Sequence, residues 1–353
     1  MVSLQQVING IKPLDEKAMG LAQRRWNTIA KPLGSLGLLE ETIIQIAGMT
    51  NDHQVCLDKR CVVVMCADNG VVEEGVTQTS SEVTAVVTEN FTKGETSVNN
   101  MANIAHAKVI PVDIGVARDV GGEGLIHQKI AYGTKNMTKG PAMTREEAIK
   151  AVEAGIHIAV RLKEEGYRII ATGEMGIGNT TTSSAITSVF LHKSPEEVTG
   201  RGAGLSSEGL KRKINVISKA IEINNPNPND PLDVLSKVGG LDIAGLTGVF
   251  LGGAFCELPV VIDGFISAAA ALCAVRICPQ VKGYLLPSHV SNEPAGTLLM
   301  SALKLEPFLH AKMCLGEGSG AVAIFPILDM ACAVYNNMST FSDIQIEEYQ
   351  PLE

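Results

Sequence analysis

Nearly every apolar run in this chain ends in a short loop of small, polar or acidic residues, and those loops carry the side chains suited to chemistry. The loops are Ala67-Asp68-Asn69-Gly70, Asp113-Ile-Gly115, Gly173-Glu-Met-Gly-Ile-Gly-Asn-Thr180, Asp263-Gly264, Pro287-Ser-His289 and Gly316-Glu-Gly-Ser-Gly320. Two carboxylates stand out. Glu317 lies between glycines, and Glu174 has a similar Gly-Glu setting. Glycines let a ligand approach the backbone, and a carboxylate shielded from water has a raised pKa that suits general-base work. The competing reading of each is a solvated loop acid or a carboxylate at a helix N-terminus.

The loop at 173–180 follows the strand-like run Tyr167–Thr172 and precedes Thr180-Thr-Thr-Ser-Ser184, whose hydroxyls would cap a helix with its amides facing an anion. That describes a phosphate cradle, with an ordinary strand-to-helix turn as the alternative. It is neither a Walker A loop nor a dinucleotide fingerprint, because no Gly-Lys-Ser/Thr follows and the third glycine is missing. Asp68, Asp113 and Asp263 come from separate runs without DxD or HxD spacing, no CxxC pair occurs, and the seven histidines are scattered. No metal is expected. His289 reads as a hydrogen-bonded structural residue, with a base or ligand as the alternative, and no Gly-x-Ser-x-Gly elbow supports a serine hydrolase.

To gather these loops the chain must place its apolar runs side by side. The runs at 61–65, 109–112, 168–171, 259–262, 284–286 and around 313–315 read as strands alternating with helices, the pattern of a Rossmann-like α/β fold: a parallel sheet covered on both faces. In such a sheet the loops at the strand ends share one edge and one crevice. Thr144–Glu147 and Ser194–Glu197 have capping-box spacing, the second with Pro at the first helical position, and both predict surface helices. Residues 1–58 and about 325–353 are expected to form a small helical domain, and 59–324 the large α/β domain. Asn224–Pro231 reads as an irregular connector, and the acidic tail after Ser339 as an ordered or frayed appendage.

Composition sets outer bounds. The 353 residues are 45% hydrophobic, enough for a sizeable core, and carry 35 glycines but only 4% aromatics. With a net charge of −9 there is no basic footprint for nucleic acid or anionic lipid. The apolar stretches at 264–275 and 321–328 are too short to span a bilayer, and the N-terminal residues lack a secretory pattern. A cytoplasmic location is expected. Of the eight cysteines, Cys61, Cys66, Cys273, Cys278 and Cys332 sit in apolar runs and read as reduced, buried thiols.

Several blocks then resemble one family in order along nearly the whole chain: KPLGSLG at 31–37, VVVMCADNGV at 62–71, EEGVTQTSSEVTAVVTENF at 73–91, GTKNMT at 133–138 with PAM at 141–143, GEMGIGNTT at 173–181, NNPNP at 224–228, DVLSKVGGLDIAG at 233–245, VIDGFISAAAAL at 261–272, PSHVSNEP at 287–294 and LGEGSGA at 315–321. The sequence resembles the nicotinate-nucleotide:dimethylbenzimidazole phosphoribosyltransferases, which activate the lower-ligand base of cobalamin. The resemblance implies a dimer whose partner borders the site. It also implies transfer of the phosphoribosyl group of nicotinate mononucleotide to an aromatic base, with inversion at the anomeric carbon and release of nicotinate. Neither metal nor redox cofactor is implied. By the same resemblance Glu317 is the catalytic base, Glu174 lies near the ribose, and Gly176, Asn179, Thr180, Gly202 and Lys213 hold the phosphate. Gly316 and Ser291 meet the nicotinate, and Thr79, Val87, Met175 and Leu315 line the acceptor pocket. Oxocarbenium character in the ribose would be stabilised by the nearby carboxylates while the loop fixes the phosphate.

The sequence also departs from the family. Val87 stands where the benzimidazole enzymes commonly have glutamine, and Thr79 stands where serine is usual. The usual Asp-His-Gly is Asp68-Asn69-Gly70, and the block after His289 lacks the common Gly-His or Gly-Ala-Arg. Valine cannot hydrogen-bond an imidazole nitrogen, and a related branch acts as a heterodimer on phenol or p-cresol. Both acceptor classes remain open at this point, as do a homodimer and a heterodimer with a paralogous subunit. A silent nucleotide-binding partner is the alternative function, opposed by intact Glu174, Lys213 and Glu317. A nucleoside phosphorylase or hydrolase would need no apolar acceptor cavity.

Overall fold

In a computed structural model, residues 2–349 are described; residue 1 and residues 350–353, at the limits of the expected helical domain and acidic tail, lie outside them. The strands are β1 (Arg60–Ala67), β2 (Ala107–Gly115), β3 (Ile126–His127), β4 (Ile169–Met175), β5 (Val260–Ile262) and β6 (Leu285–Pro287). Every residue of β1 is buried, as a central strand covered on both faces requires. The strands pair in parallel in the order β3-β2-β1-β4-β5-β6. From β1 the chain builds outward through β2 and β3, then returns to the other side of β1 for β4. The order therefore reverses between β1 and β4, and a crevice opens beyond their C-terminal ends.

The helices are α1 (Leu4–Gly10), α2 (Glu16–Thr28), α3 (Leu38–Thr50), α4 (Glu82–Lys93), α5 (Ser97–Ile104), α6 (Arg145–Glu164), α7 (Asn179–Leu191), α8 (Pro195–Val198), α9 (Ser207–Asn224), α10 (Pro231–Val238), α11 (Leu241–Phe255), α12 (Phe265–Ile277), α13 (Ala295–Leu303), α14 (Ser319–Ala323) and α15 (Phe325–Asn337). Both expected capping boxes form. The Thr144 amide donates to Glu147 Oε2 at 2.7 Å ahead of α6, and the Ser194 amide donates to Glu197 Oε2 at 2.9 Å ahead of α8. The connector at 224–231 links the end of α9 to α10, whose first residue is Pro231 and whose cap is Asp230.

Helices α6 and α11 cross almost backbone to backbone. A Cβ at Gly248 would lie 1.9 Å from the Val152 carbonyl oxygen, and one at Gly155 would lie 2.0 Å from that of Gly245. Only glycine permits that approach, which presses α11 onto the sheet and delivers its first turn under the crevice. The chain ends also meet. Trp26 packs on Tyr335 with ring centroids 5.0 Å apart, and Arg25 donates to the carbonyls of Tyr335 and Met338, both at 3.1 Å.

One expected strand does not form. The segment at 313–315 runs irregularly alongside the loop beyond β6, tied by an Asn292 amide bond to the Met313 carbonyl at 2.9 Å, and Leu315 is 57% exposed. Its side chains face no core, so nothing supports a sheet edge there. Conversely β3, two residues pairing with Val112 and Asp113, is too short to leave a pattern in the sequence. The stretch Ser319–Asn337 is long and apolar enough to cross a membrane, but α14 and α15 within it pack on α3, α5 and β4 and half of it is buried in protein. The cysteines are all free thiols; Cys61, Cys66, Cys273 and Cys278 are buried, whereas Cys332 is half-buried and Cys56 and Cys314 are exposed.

Candidate active site

A cleft of about 260 Å³ occupies the crevice at the β1–β4 reversal. Thr79, Val87, Glu174, Met175, Gly176, Asn179, Thr180, Gly202, Ser291, Leu315, Gly316 and Glu317 all line it, drawn from segments more than two hundred residues apart in sequence. Lys213 stands just behind the wall. Its ammonium donates to Thr180 Oγ1 at 2.8 Å and to the Gly200 carbonyl at 3.2 Å, and burial depresses its pKa to about 8 against the opposing charge of Glu293. A buried cation without a carboxylate in contact is poised for an anion.

At the other end of the cleft, Glu317 occupies left-handed backbone (φ 61°) between Gly316 (φ 87°) and Gly318 (φ 89°). This rare conformation turns the half-buried side chain toward α5, where the Val98 amide donates to its Oε2 at 3.1 Å. Burial raises the Glu317 pKa, and the amides of Val98 and Ser97 oppose the rise. Glu174, at the end of β4, accepts from the Asn179 amide group and is pushed up to about 8, first by burial and then by the charges of Asp242, Asp263 and Glu317. Its carboxyl is thus displaced toward the protonated form at neutral pH. Low dielectric and the neighbouring acids both favour its neutral form.

The three aspartates considered for a metal have separate structural duties. Asp68 accepts the Ala117 amide at 2.8 Å, Asp113 accepts the Val116 amide at 3.0 Å and meets Lys129, and Asp263 accepts the Gly320 and Ala321 amides at 2.7 and 3.0 Å. Asp263, buried and raised to about 7, also lines the cleft. His289 contacts Ser288 Oγ at 3.1 Å, and burial lowers its pKa. The Thr180–Ser184 hydroxyls do not cap α7. Thr182 and Ser184 donate back to the carbonyls of Asn179 and Thr180, and the cap is Gly178 at φ 95°. The start of α7 thus meets the cleft without a capping side chain.

Other residues of the site escaped the sequence reading. Arg201 lines the cleft beside Gly202, and Gln78 donates to the Gly204 carbonyl, tying the 77–80 loop to the 201–205 loop across the opening. Asp242, wholly buried in the first turn of α11, is pushed up to about 6 by burial.

A family model described as Phosphoribosyltransferase matches residues 11–346. Proteins named nicotinate-nucleotide–dimethylbenzimidazole phosphoribosyltransferase are 53% identical over 352 residues in Ruminiclostridium cellulolyticum, with 100% of each chain covered, and 52% identical over 348 residues in Acetivibrio thermocellus, with 99% of each covered. The chain belongs to the nicotinate-nucleotide–dimethylbenzimidazole phosphoribosyltransferase family. The crystal structure of CobT from Thermus thermophilus is similar with a TM-score of 0.90 at 37% identity, covering 94% of this chain and 100% of that one. Asp242 lies inside the 233–245 block by which the sequence resembles these phosphoribosyltransferases, so position was legible there although chemistry was not. Val98, acting through its backbone, left no side-chain signal at all.

Proposed function

We propose that this phosphoribosyltransferase moves the 5-phosphoribosyl group of nicotinate mononucleotide to dimethylbenzimidazole, releasing nicotinate and giving the α-riboside phosphate for cobamide synthesis. The observation that carries the reading is the cleft's polarity: Lys213 and the uncapped start of α7 at one end, Glu317 held by the α5 amides at the other, and Glu174 between them. The phosphate binds at Gly176, Asn179, Thr180 and Gly202 with Lys213 behind them, which fixes the sugar over Glu174. The nicotinate lies against Gly316 and Ser291, and the acceptor ring enters between Thr79, Val87, Met175 and Leu315.

As the acceptor nitrogen forms its bond to the anomeric carbon, the bond to the pyridine nitrogen breaks and its electron pair leaves with nicotinate. Attack from the opposite face inverts that carbon. Glu317 takes the acceptor's proton, for which its raised pKa suits it. Glu174, favoured in its neutral form by burial, donates a hydrogen bond toward the ribose and keeps its proton through the transfer, its carboxyl dipole facing the positive character that develops in the ring. The active unit is a dimer in the cytoplasm whose partner subunit borders the cleft; Val86 on α4 and Ile104 at the end of α5 leave apolar side chains exposed for such a contact.

The test is to incubate the purified chain with nicotinate mononucleotide and, separately, dimethylbenzimidazole, phenol and p-cresol, following nicotinate release and product mass. Product with dimethylbenzimidazole is expected. Product with the phenols alone would reassign the acceptor. Mononucleotide binding without turnover would point to a silent subunit awaiting a paralogous partner.

A further inference from the structure

Beneath the cleft, between the ends of β1 and β4 and the start of α11, four side chains lie almost wholly out of solvent: Asn69, Glu174, Asn179 and Asp242. Asp242 Oδ1 accepts the Ile243 amide at 2.9 Å. Its Oδ2 has no hydrogen-bond partner among the described residues, and neither has Oδ1 or Nδ2 of Asn69. Two glycines locate these atoms. A Cβ at Gly176 would lie 2.5 Å from Asp242 Oδ2 and 3.1 Å from Asn69 Nδ2, and one at Gly240 would lie 2.3 Å from Asp242 Oδ1 and 2.4 Å from Asn69 Oδ1. Carboxylate and amide therefore stand side by side under the turn that joins Glu174 to Asn179. Asn179 donates to Glu174 Oε2 and also faces Asp242. One amide group has two N–H bonds, of which one goes to Glu174 and the other is available to Asp242.

A buried polar cluster left partly unsatisfied calls for a reason, and an apolar side chain in place of Asp242 would pack there without the cost. We propose that Asp242 is a positioning residue for phosphoribosyl transfer: backed by Asn69, it orients the Asn179 amide and through it sets the orientation and charge of Glu174 beneath the ribose. This rests on the functional reading above. The groups facing Glu174 are Asp242 from α11, Asp263 from the loop after β5, Glu317 from the loop before α14 and the Asn179 amide from α7, with Lys213 behind Thr180. Removing one of three acidic neighbours makes Glu174 easier to ionise, and an amide at position 242 can turn a donor toward Asn179 where Asp242 has its unpartnered Oδ2.

The deciding experiment measures kcat and KM for nicotinate mononucleotide across pH in the full-length wild type, D242N and D242E. For D242N, kcat is expected to fall about tenfold with KM within about twofold, and the pH limb lost in E174Q to move about half a unit or more toward acid. D242E should recover part of kcat. A D242N profile superimposable on wild type overturns the proposal, as does a lower kcat with an unmoved limb. If D242N does not fold, infrared titration of the substrate-free wild type and E174Q replaces it. The carboxyl band remaining in E174Q should titrate at lower pH than in the coupled wild-type pair, and an unshifted band overturns the proposal. A wild type that releases no nicotinate would instead refute the functional reading, while the infrared titration still reports the coupling.

Discussion

The Val98 amide and the Glu317 carboxylate meet at 3.1 Å across 219 residues of chain, joining the first turn of α5 to the loop before α14. The bond engages Oε2 and leaves the other carboxylate oxygen to take a proton. It also offsets part of the cost of left-handed backbone at a non-glycine residue, roughly 1–2 kcal/mol. Position and basicity of Glu317 thus have one source, a carboxylate partly withdrawn from water and held by helix N-terminal amides.

Replacing Glu317 by glutamine keeps the shape and the oxygen that accepts from Val98 but removes the base. Turnover with dimethylbenzimidazole should fall by about 10²–10⁴-fold. Affinity for nicotinate mononucleotide, measured by calorimetry, should change little, because the phosphate end of the cleft is untouched. Unchanged turnover would remove Glu317 as the proton acceptor.

At the phosphate end, burial holds Lys213 near pKa 8, with Glu293 the opposing charge, Thr180 Oγ1 and the Gly200 carbonyl its contacts. A bound phosphate favours the ammonium and raises that pKa. Mononucleotide affinity should therefore be steady near neutral pH and weaken as pH rises through 8, by up to about tenfold per unit. Lys213→Met should lose about 10–100-fold in affinity and abolish this alkaline dependence. A wild-type affinity flat to pH 9.5 would show that Lys213 does not carry the phosphate.

The strand ends were the most legible part of this molecule, because fully buried parallel strands are continuous apolar runs and the polar loops after them stand out in contrast. Glu174 and Glu317 were visible for that reason. Asp242 was not, since an aspartate in the first turn of a helix is ordinary until the helix is found buried on every side. Val98 acts through an amide that every residue has. The 313–315 run misled because three apolar residues beside a strand end cannot report that no sheet edge waits for them. The Thr180–Ser184 hydroxyls misled because their acceptors, the carbonyls of α7 itself, exist only once the helix forms.

The protonated Glu174 has a consequence for stability. Its pKa is about 8 in the folded chain against a reference value of 4.5, so between those values the folded state keeps a proton that the unfolded state has lost. Stability falls as pH rises through that window, and the full cost is present above about 8. Glu174→Gln cannot ionise and still offers an oxygen to Asn179. It should match wild type at pH 4.5 and exceed it at pH 8.5 by about 1–3 kcal/mol, a few degrees in Tm. Equal melting temperatures at both pH values would show that Glu174 titrates normally.

Val87 sits half-buried on α4 in the acceptor wall, with exposed Thr79 the polar side chain nearest it in sequence among those singled out for that wall. A benzimidazole nitrogen pointed at Val87 would lose its water without gaining a partner. A glutamine at this position would supply one hydrogen bond, worth about 0.5–1.5 kcal/mol net, so Val87→Gln should lower KM for dimethylbenzimidazole about 2–12-fold. The KM for nicotinate mononucleotide should not move, since Val87 is not among the residues assigned to its phosphate or its nicotinate. A phenol presents its one polar atom to the anomeric carbon and to Glu317, and gains nothing from the new amide. If Val87→Gln improves the phenols and not the benzimidazole, the acceptor ring binds with its polar edge turned the other way, and the wall of Met175 and Leu315 determines specificity in place of α4.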